Sequence, residues 1–123
     1  MNIEVSGAWA KVTLSGDVDL SWKLAHEAEL AALCQQPLHT VVLDIEDVSF
    51  MDSTALGYVA QLVRACKPQA GTVYVLWPSK LVAGLFNTVG LDRADGVLLI
   101  TNDAQYGEHA GALVAPDPDP LPA

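Results

Sequence analysis

In residues 40–57 the chain reads TVVLDIEDVSFMDSTALG. It opens on an unbroken apolar run, Val41, Val42 and Leu43, of the kind presented by a central strand buried on both faces, which predicts a strand over 40–45. The next stretch is acidic and irregular and reads as a loop over 46–52. From Ser53 the period changes: Ala55, Val59, Leu62, Val63 and Cys66 fall on one side of a helix over 53–66, which Lys67, Pro68 and Gly71 bring to an end. A buried strand followed by a loop and an amphipathic helix is the repeating unit of a parallel α/β sheet.

The same unit recurs on both sides. Downstream, TVYVLW over 72–77 is the clearest β-forming run. Pro78 and Ser79 then open a helix with Val82, Leu85, Phe86 and Val89 on one face and Gly90 at its end. A last strand over 97–101 and a short helix over 103–111 complete the pattern. Upstream, WAKVTL over 9–14 reads as a strand, and Ser6 and Gly7 turn it into a hairpin with a weaker strand over 2–5. SGDVDL over 15–20 reads as a turn with an acidic opening to a helix over 21–35. Leu24, Ala28, Ala31 and Ala32 form the inner face expected of that helix, and Pro37 closes it.

This order predicts an α/β fold: a mixed, mostly parallel sheet of four to five strands with three to four helices and right-handed crossovers. One domain is expected over 1–112. In the remainder, 113–123, the run PDPDPLP lacks the backbone donors for a helix or a ladder and reads as an extended, solvated tail.

Composition narrows the function. The chain has 123 residues and 51% apolar content, enough to fold around one core, and fifteen Asp and Glu outnumber six Lys and Arg for a formal charge of −9. That charge repels phosphate backbones and anionic headgroups, so no nucleic acid partner is expected. The opening MNIEVSGAWA lacks a basic segment followed by an apolar one, and no run of 18 apolar residues occurs, so no membrane insertion and a cytoplasmic location are expected. Cys34 and Cys66 lack C-x-x-C spacing and read as reduced thiols in or beside the core, with a regulatory disulfide as the alternative. His26, His39 and His109 lack metal-ligand spacing. Asp44 and Glu46, like Asp17 and Asp19, read as a solvated acidic edge. No glycine-rich phosphate loop is present, and no cofactor is expected.

The chemistry gathers at Ser53, where a buried strand has ended and a helix begins. Asp52, Ser53 and Thr54 are all competent N-caps, so one reading makes Ser53 a helix cap. The other makes it a phosphorylation site, because a helix N-terminus tolerates phosphate while Glu46, Asp47 and Asp52 crowd the same loop with negative charge. Trp9 and Trp77 read as core. Trp22, in the first turn of a helix beside the acidic turn, stands equally as a buried residue or as an exposed binding hot spot. Catalysis is not expected: M-D-S-T-A is not a nucleophile elbow, and no base of the usual type lies near Ser53 in the sequence.

Taken together, SGDVDL, FMDSTALG after a buried strand, and the later SKLVAGLFNTVGL resemble the bacterial anti-sigma factor antagonists with the STAS fold. The resemblance covers nearly the whole chain except the tail. It implies that a partner anti-sigma factor, itself an ATP-dependent serine kinase, phosphorylates Ser53. It also implies that the unmodified protein binds that partner and frees a sigma factor. Thr54 becomes a secondary acceptor. Asp52, Asp17 and Asp19 become partner contacts; Trp22 joins them as a candidate contact by its position beside the acidic turn, and a monomer or weak dimer is expected. Where the commonest family pattern reads D-S-S-G-L-G, this chain has Thr54 and Ala55, which suits a helix. Single domains of this kind also serve as accessory subunits of lipid-transport ATPase complexes or stress-signalling assemblies, so that role stands as the alternative. An enzyme acting through Ser53 is the third.

Overall fold

The structure is a computed structural model and describes residues 1–116. Five strands form one sheet: β1 (Asn2–Ser6), β2 (Trp9–Val18), β3 (Thr40–Met51), β4 (Thr72–Leu76) and β5 (Val97–Ile100), in spatial order β1-β2-β3-β4-β5. The β1–β2 hairpin is antiparallel, turned at Gly7 with φ 59°, and every other pair is parallel. Four helices alternate with the strands: α1 (Leu20–Cys34), α2 (Ser53–Cys66), α3 (Lys80–Val89) and α4 (Asp103–Leu113). The expected mixed α/β sheet is therefore present. The expected final helix runs through to a buried Leu113, and the Pro/Asp tail from Asp117 onward lies outside the described residues.

Strand period two divides the core into two layers. Ala10, Val12 and Leu14 of β2, Val41, Leu43 and Ile45 of β3, and Val73 and Val75 of β4 face one way. They meet Leu33 of α1, Ala55, Val59 and Leu62 of α2, and Val82 and Phe86 of α3. The intervening residues Trp9, Val42, Leu76 and Ile100 face the other way and pack on Leu113 of α4. The Trp9 indole N–H donates to the Ala112 carbonyl at 3.0 Å, which satisfies the polar atom of an otherwise buried ring. Trp77 leaves β4 with φ 57° and stacks on Tyr106 of α4, ring centroids 5.9 Å apart.

Two expectations are corrected. The stretch 46–52 is not a loop: β3 continues to Met51, paired with a β2 that itself runs through the expected turn to Val18. The pairing passes from Thr13↔Asp44 to Ser15↔Asp47 and from Gly16↔Val48 to Asp17↔Phe50, so two bulges each place one extra residue in β3. Buried Ile45, Val48 and Met51 consequently recur at every third position rather than every second. The inner face of α1 is also not Leu24, Ala28, Ala31 and Ala32, all of which are exposed, Leu24 at 72%. Leu30 and Leu33 are buried there and Trp22 and Cys34 pack beside them, because the bulkier stripe fills more of the space above the sheet.

Both thiols are free, Cys66 buried and Cys34 half-buried. Burial pushes the Cys66 thiol up to about 11, and the neighbouring Cys34 adds to the shift. An acid raised in the folded state favours folding while it stays neutral. That contribution is complete below the ordinary thiol value of 9.0 and is lost as pH rises through about 11. The melting temperature should therefore fall more steeply between pH 9 and 11 in the wild type than in Cys66→Ala, whatever the starting stability of the variant. Equal slopes in thermal melts across that range would contradict the assignment.

Candidate functional site

The bulged, lengthened ends of β2 and β3 fix the site. Val18 stands opposite Met51, so the residues that follow them, Asp19 and Asp52, leave the sheet side by side and each begins a helix. Asp19 caps α1, its carboxylate accepting from the Trp22 N–H at 3.1 Å. Asp52 caps α2 in the same way, accepting from the Ala55 N–H at 3.1 Å, while its carbonyl accepts from the Leu56 N–H at 3.2 Å. The Asp52 N–H in turn donates to the Val18 carbonyl at 3.4 Å, which ties the two strand ends together. Two adjacent helix N-termini are thus each closed by a carboxylate.

This settles which of the three competent residues caps α2. Asp52 does, and Ser53 becomes the first helical residue, exposed, with its hydroxyl outside the cap. Thr54 follows, half-buried. Asp17 is exposed near the end of β2, opposite Phe50. Trp22 is half-buried in the first turn of α1, its ring edge-on to Tyr58 with centroids 5.4 Å apart and 5.0 Å from the His26 ring. The six residues singled out from sequence therefore belong to the ends of β2 and β3 and the first turns of α1 and α2.

Other residues at this edge are not among those six. Leu20, first in α1, is 56% exposed, and Phe50 beside Asp17 is 45% exposed, so apolar surface borders the acidic residues. A groove of about 390 Å³ runs from Ser53 and Thr54 along α2 and is lined also by Lys23, Gly57, Tyr58, Gln61 and Arg64. Lys23 is the one Lys or Arg between Lys11 and Arg64 in the sequence, a spacing that in so acidic a chain is itself a signal. The buried Tyr58 hydroxyl has no hydrogen-bond partner among the described residues. Its ionisation is pushed up by burial, with the Glu27 carboxylate adding to it.

The histidines are dispersed. His39 lies before β3 and Ser53 after it, with the Nδ1 of His39 beside the Thr40 hydroxyl at 3.1 Å. His109 packs on Tyr74 on the α4 side of the sheet, and His26 lies 3.6 Å from Glu29. Among the described residues no group of three His, Cys, Asp or Glu is placed to hold a metal, and no helix is long and apolar enough to cross a membrane.

Known proteins share this fold. Residues 1–102 match the STAS domain. The anti-sigma-B factor antagonist of Staphylococcus epidermidis is 30% identical over 81 residues, covering 66% of this chain and 75% of the relative. An anti-sigma factor antagonist from Mycobacterium paratuberculosis superposes with a TM-score of 0.69 at 20% identity, covering 87% of this chain and 90% of the other. The Bacillus cell fate determinant SpoIIAA, solved in its phosphorylated form, superposes with a TM-score of 0.63 at 24% identity, covering 87% and 96%.

Proposed function

This chain belongs to the STAS domain family and is related in sequence to anti-sigma factor antagonists, and from that premise we propose that it is a phosphorylation-controlled binding switch. With Ser53 unmodified it docks an anti-sigma factor that is also a serine kinase, and sigma-dependent transcription proceeds. With Ser53 phosphorylated it releases that partner. The observation that carries this reading is the division of labour at α2: Asp52 holds the cap and Ser53 stands exposed beside it. A serine needed for the cap would lose its structural role on modification, whereas this one is available to a kinase at no cost to the helix.

The surroundings fit a docking face. Leu20 and Phe50 supply exposed apolar area, and Asp17, Asp19, Asp52 and the half-buried Trp22 frame it with charge and aromatic surface. The same carboxylates make the face intolerant of two further negative charges once a partner excludes water. The reading is of a regulator rather than a catalyst. Anti-sigma factor antagonists are named among its relatives, and SpoIIAA, of the same fold, exists in a phosphorylated form.

Incubation with a candidate kinase-type anti-sigma factor from the same organism and ATP, followed by mass spectrometry, tests the reading. One phosphate is expected on Ser53 in the wild type and none in Ser53→Ala, with Ser53→Ala still capturing the partner. A phosphate at Thr54 or elsewhere, with Ser53 unmodified, would overturn the assignment. Capture of transport-complex subunits regardless of the state of Ser53 would replace the switch with a scaffold.

A further inference from the structure

The groove beside Ser53 has a composition that the switch does not require. Lys23 and Arg64, two of the six Lys and Arg in a chain of charge −9, both line it. At its Ser53 end, Asp52 satisfies the N–H groups of Ala55 and Leu56, which leaves the N–H groups of Ser53 and Thr54 as the open donors of the first turn. Tyr58, which lines the same groove and is 7% exposed, has a hydroxyl with no partner among the described residues. A buried, unanswered hydroxyl is uncommon, and a missing acceptor is a direct way to account for it. Gly57 contributes no side chain, and open space surrounds the position its Cβ would take. An ammonium and a helix N-terminus around open space, with a buried donor hydroxyl on a residue of the wall, make a receptor for a tetrahedral oxyanion.

We propose that phosphoserine 53 turns its phosphate into this groove, where Lys23, the open N–H groups of α2 and the Tyr58 hydroxyl hold it. The inference rests on the reading of Ser53 as the modified residue and adds the means by which the modified state is kept. The phosphate then acts twice: it brings negative charge to the docking face, and it withdraws Lys23 from any acidic group of the partner. Arg64 lies eleven residues along α2, about 16 Å at 1.5 Å per residue, and contributes field without contact. The opposing charges are Asp52, with one oxygen committed to the Ala55 N–H, Asp19 on the neighbouring cap, and Glu27, close enough to bear on Tyr58.

The test uses full-length protein with phosphoserine installed at position 53 during translation, so that no kinase is needed. The second ionisation of the phosphate is then followed by ³¹P NMR. An exposed phosphoserine titrates near about 6, and the wild-type protein should titrate about half a pH unit or more below that, as an adjacent cation favours the dianion. Lys23→Gln should return it to the exposed value. Tyr58→Phe should move it part of the way, and Arg64→Gln should leave it nearly unchanged, with thermal melts confirming that each variant is folded. A titration unmoved by Lys23→Gln, or moved equally by Arg64→Gln, overturns the receptor. Loss of partner binding by the same phosphoprotein is measured separately, so the receptor and the switch can fail independently.

Discussion

Ser53→Asp is expected to weaken binding of the anti-sigma partner by about a hundredfold, equivalent to about 2.7 kcal/mol, while moving the melting temperature by no more than a few degrees. The two effects have separate physical origins. Within the isolated domain the new carboxylate sits on the first residue of a fourteen-residue helix, where the dipole favours negative charge by about 0.3 to 1 kcal/mol. The cap is untouched because Asp52 provides it. At a docked interface the carboxylate joins Asp17, Asp19 and Asp52 in a region from which water is excluded, and like charges brought together there cost several kcal/mol. Ser53→Asn, similar in size and uncharged, should bind within a few-fold of wild type. Calorimetric titration beside thermal melts of the three proteins decides the matter. An Asp variant that binds as wild type would end the electrostatic account, and one that unfolds would make Ser53 structural after all.

The architecture was legible wherever one period governed a segment. Val41–Val42–Leu43, the β-rich run over 72–77, and the stripe from Ala55 to Cys66 each obey a single rule, and each element begins where that rule puts it. Legibility failed at the two bulges. Pairing rules read a strand by alternation, but the extra residues in β3 shift burial to Ile45, Val48 and Met51, a spacing of three that matches neither a strand nor a full helical turn. Such a stretch looks like a loop from sequence, and only the partner strand reveals the ladder. In α1 two stripes compete at helical spacing. Sequence spacing points to the one rich in small residues, and the sheet takes the one carrying Leu30 and Leu33.

The site divides along a similar line. That a helix is capped at Asp52, Ser53 or Thr54 could be read from a cap-competent trio between a strand and a helix, since that is a local fact. Which of the three performs the capping is settled by the direction in which the bulged strand delivers the chain, and that is a tertiary fact. Lys23 and Tyr58 belong to the same category. They lie thirty positions away and five positions away from Ser53, and no spacing rule joins them until α1 and α2 are set side by side on the sheet.

Gly71→Ala tests how tightly the opposite end of the sheet is assembled, and it is expected to destabilise the domain by about 3 kcal/mol or more, a large part of a typical total of about 5 to 15. Gly71 precedes β4, and a Cβ there would overlap the His39 carbonyl oxygen and come within 2.7 Å of its carbon. That oxygen is already engaged, accepting from the Thr72 N–H at 2.9 Å in the first rung of the β3–β4 ladder. The Gly71 carbonyl in turn lies 3.1 Å from where a Cβ on Gly96 would stand, so β4 is closely approached from the β5 side as well. The neighbours are backbone and cannot rotate away, so either the strand start shifts and the rung is lost, or β3 moves. Gly84→Ala provides the opposite case, since that position is exposed in α3 with nothing within 4 Å, and an alanine there should stabilise by about 1 kcal/mol. Denaturant unfolding of the two variants should therefore shift the midpoint in opposite directions. A Gly71→Ala protein as stable as wild type would mean that β3 and β4 do not approach each other this closely at their starts.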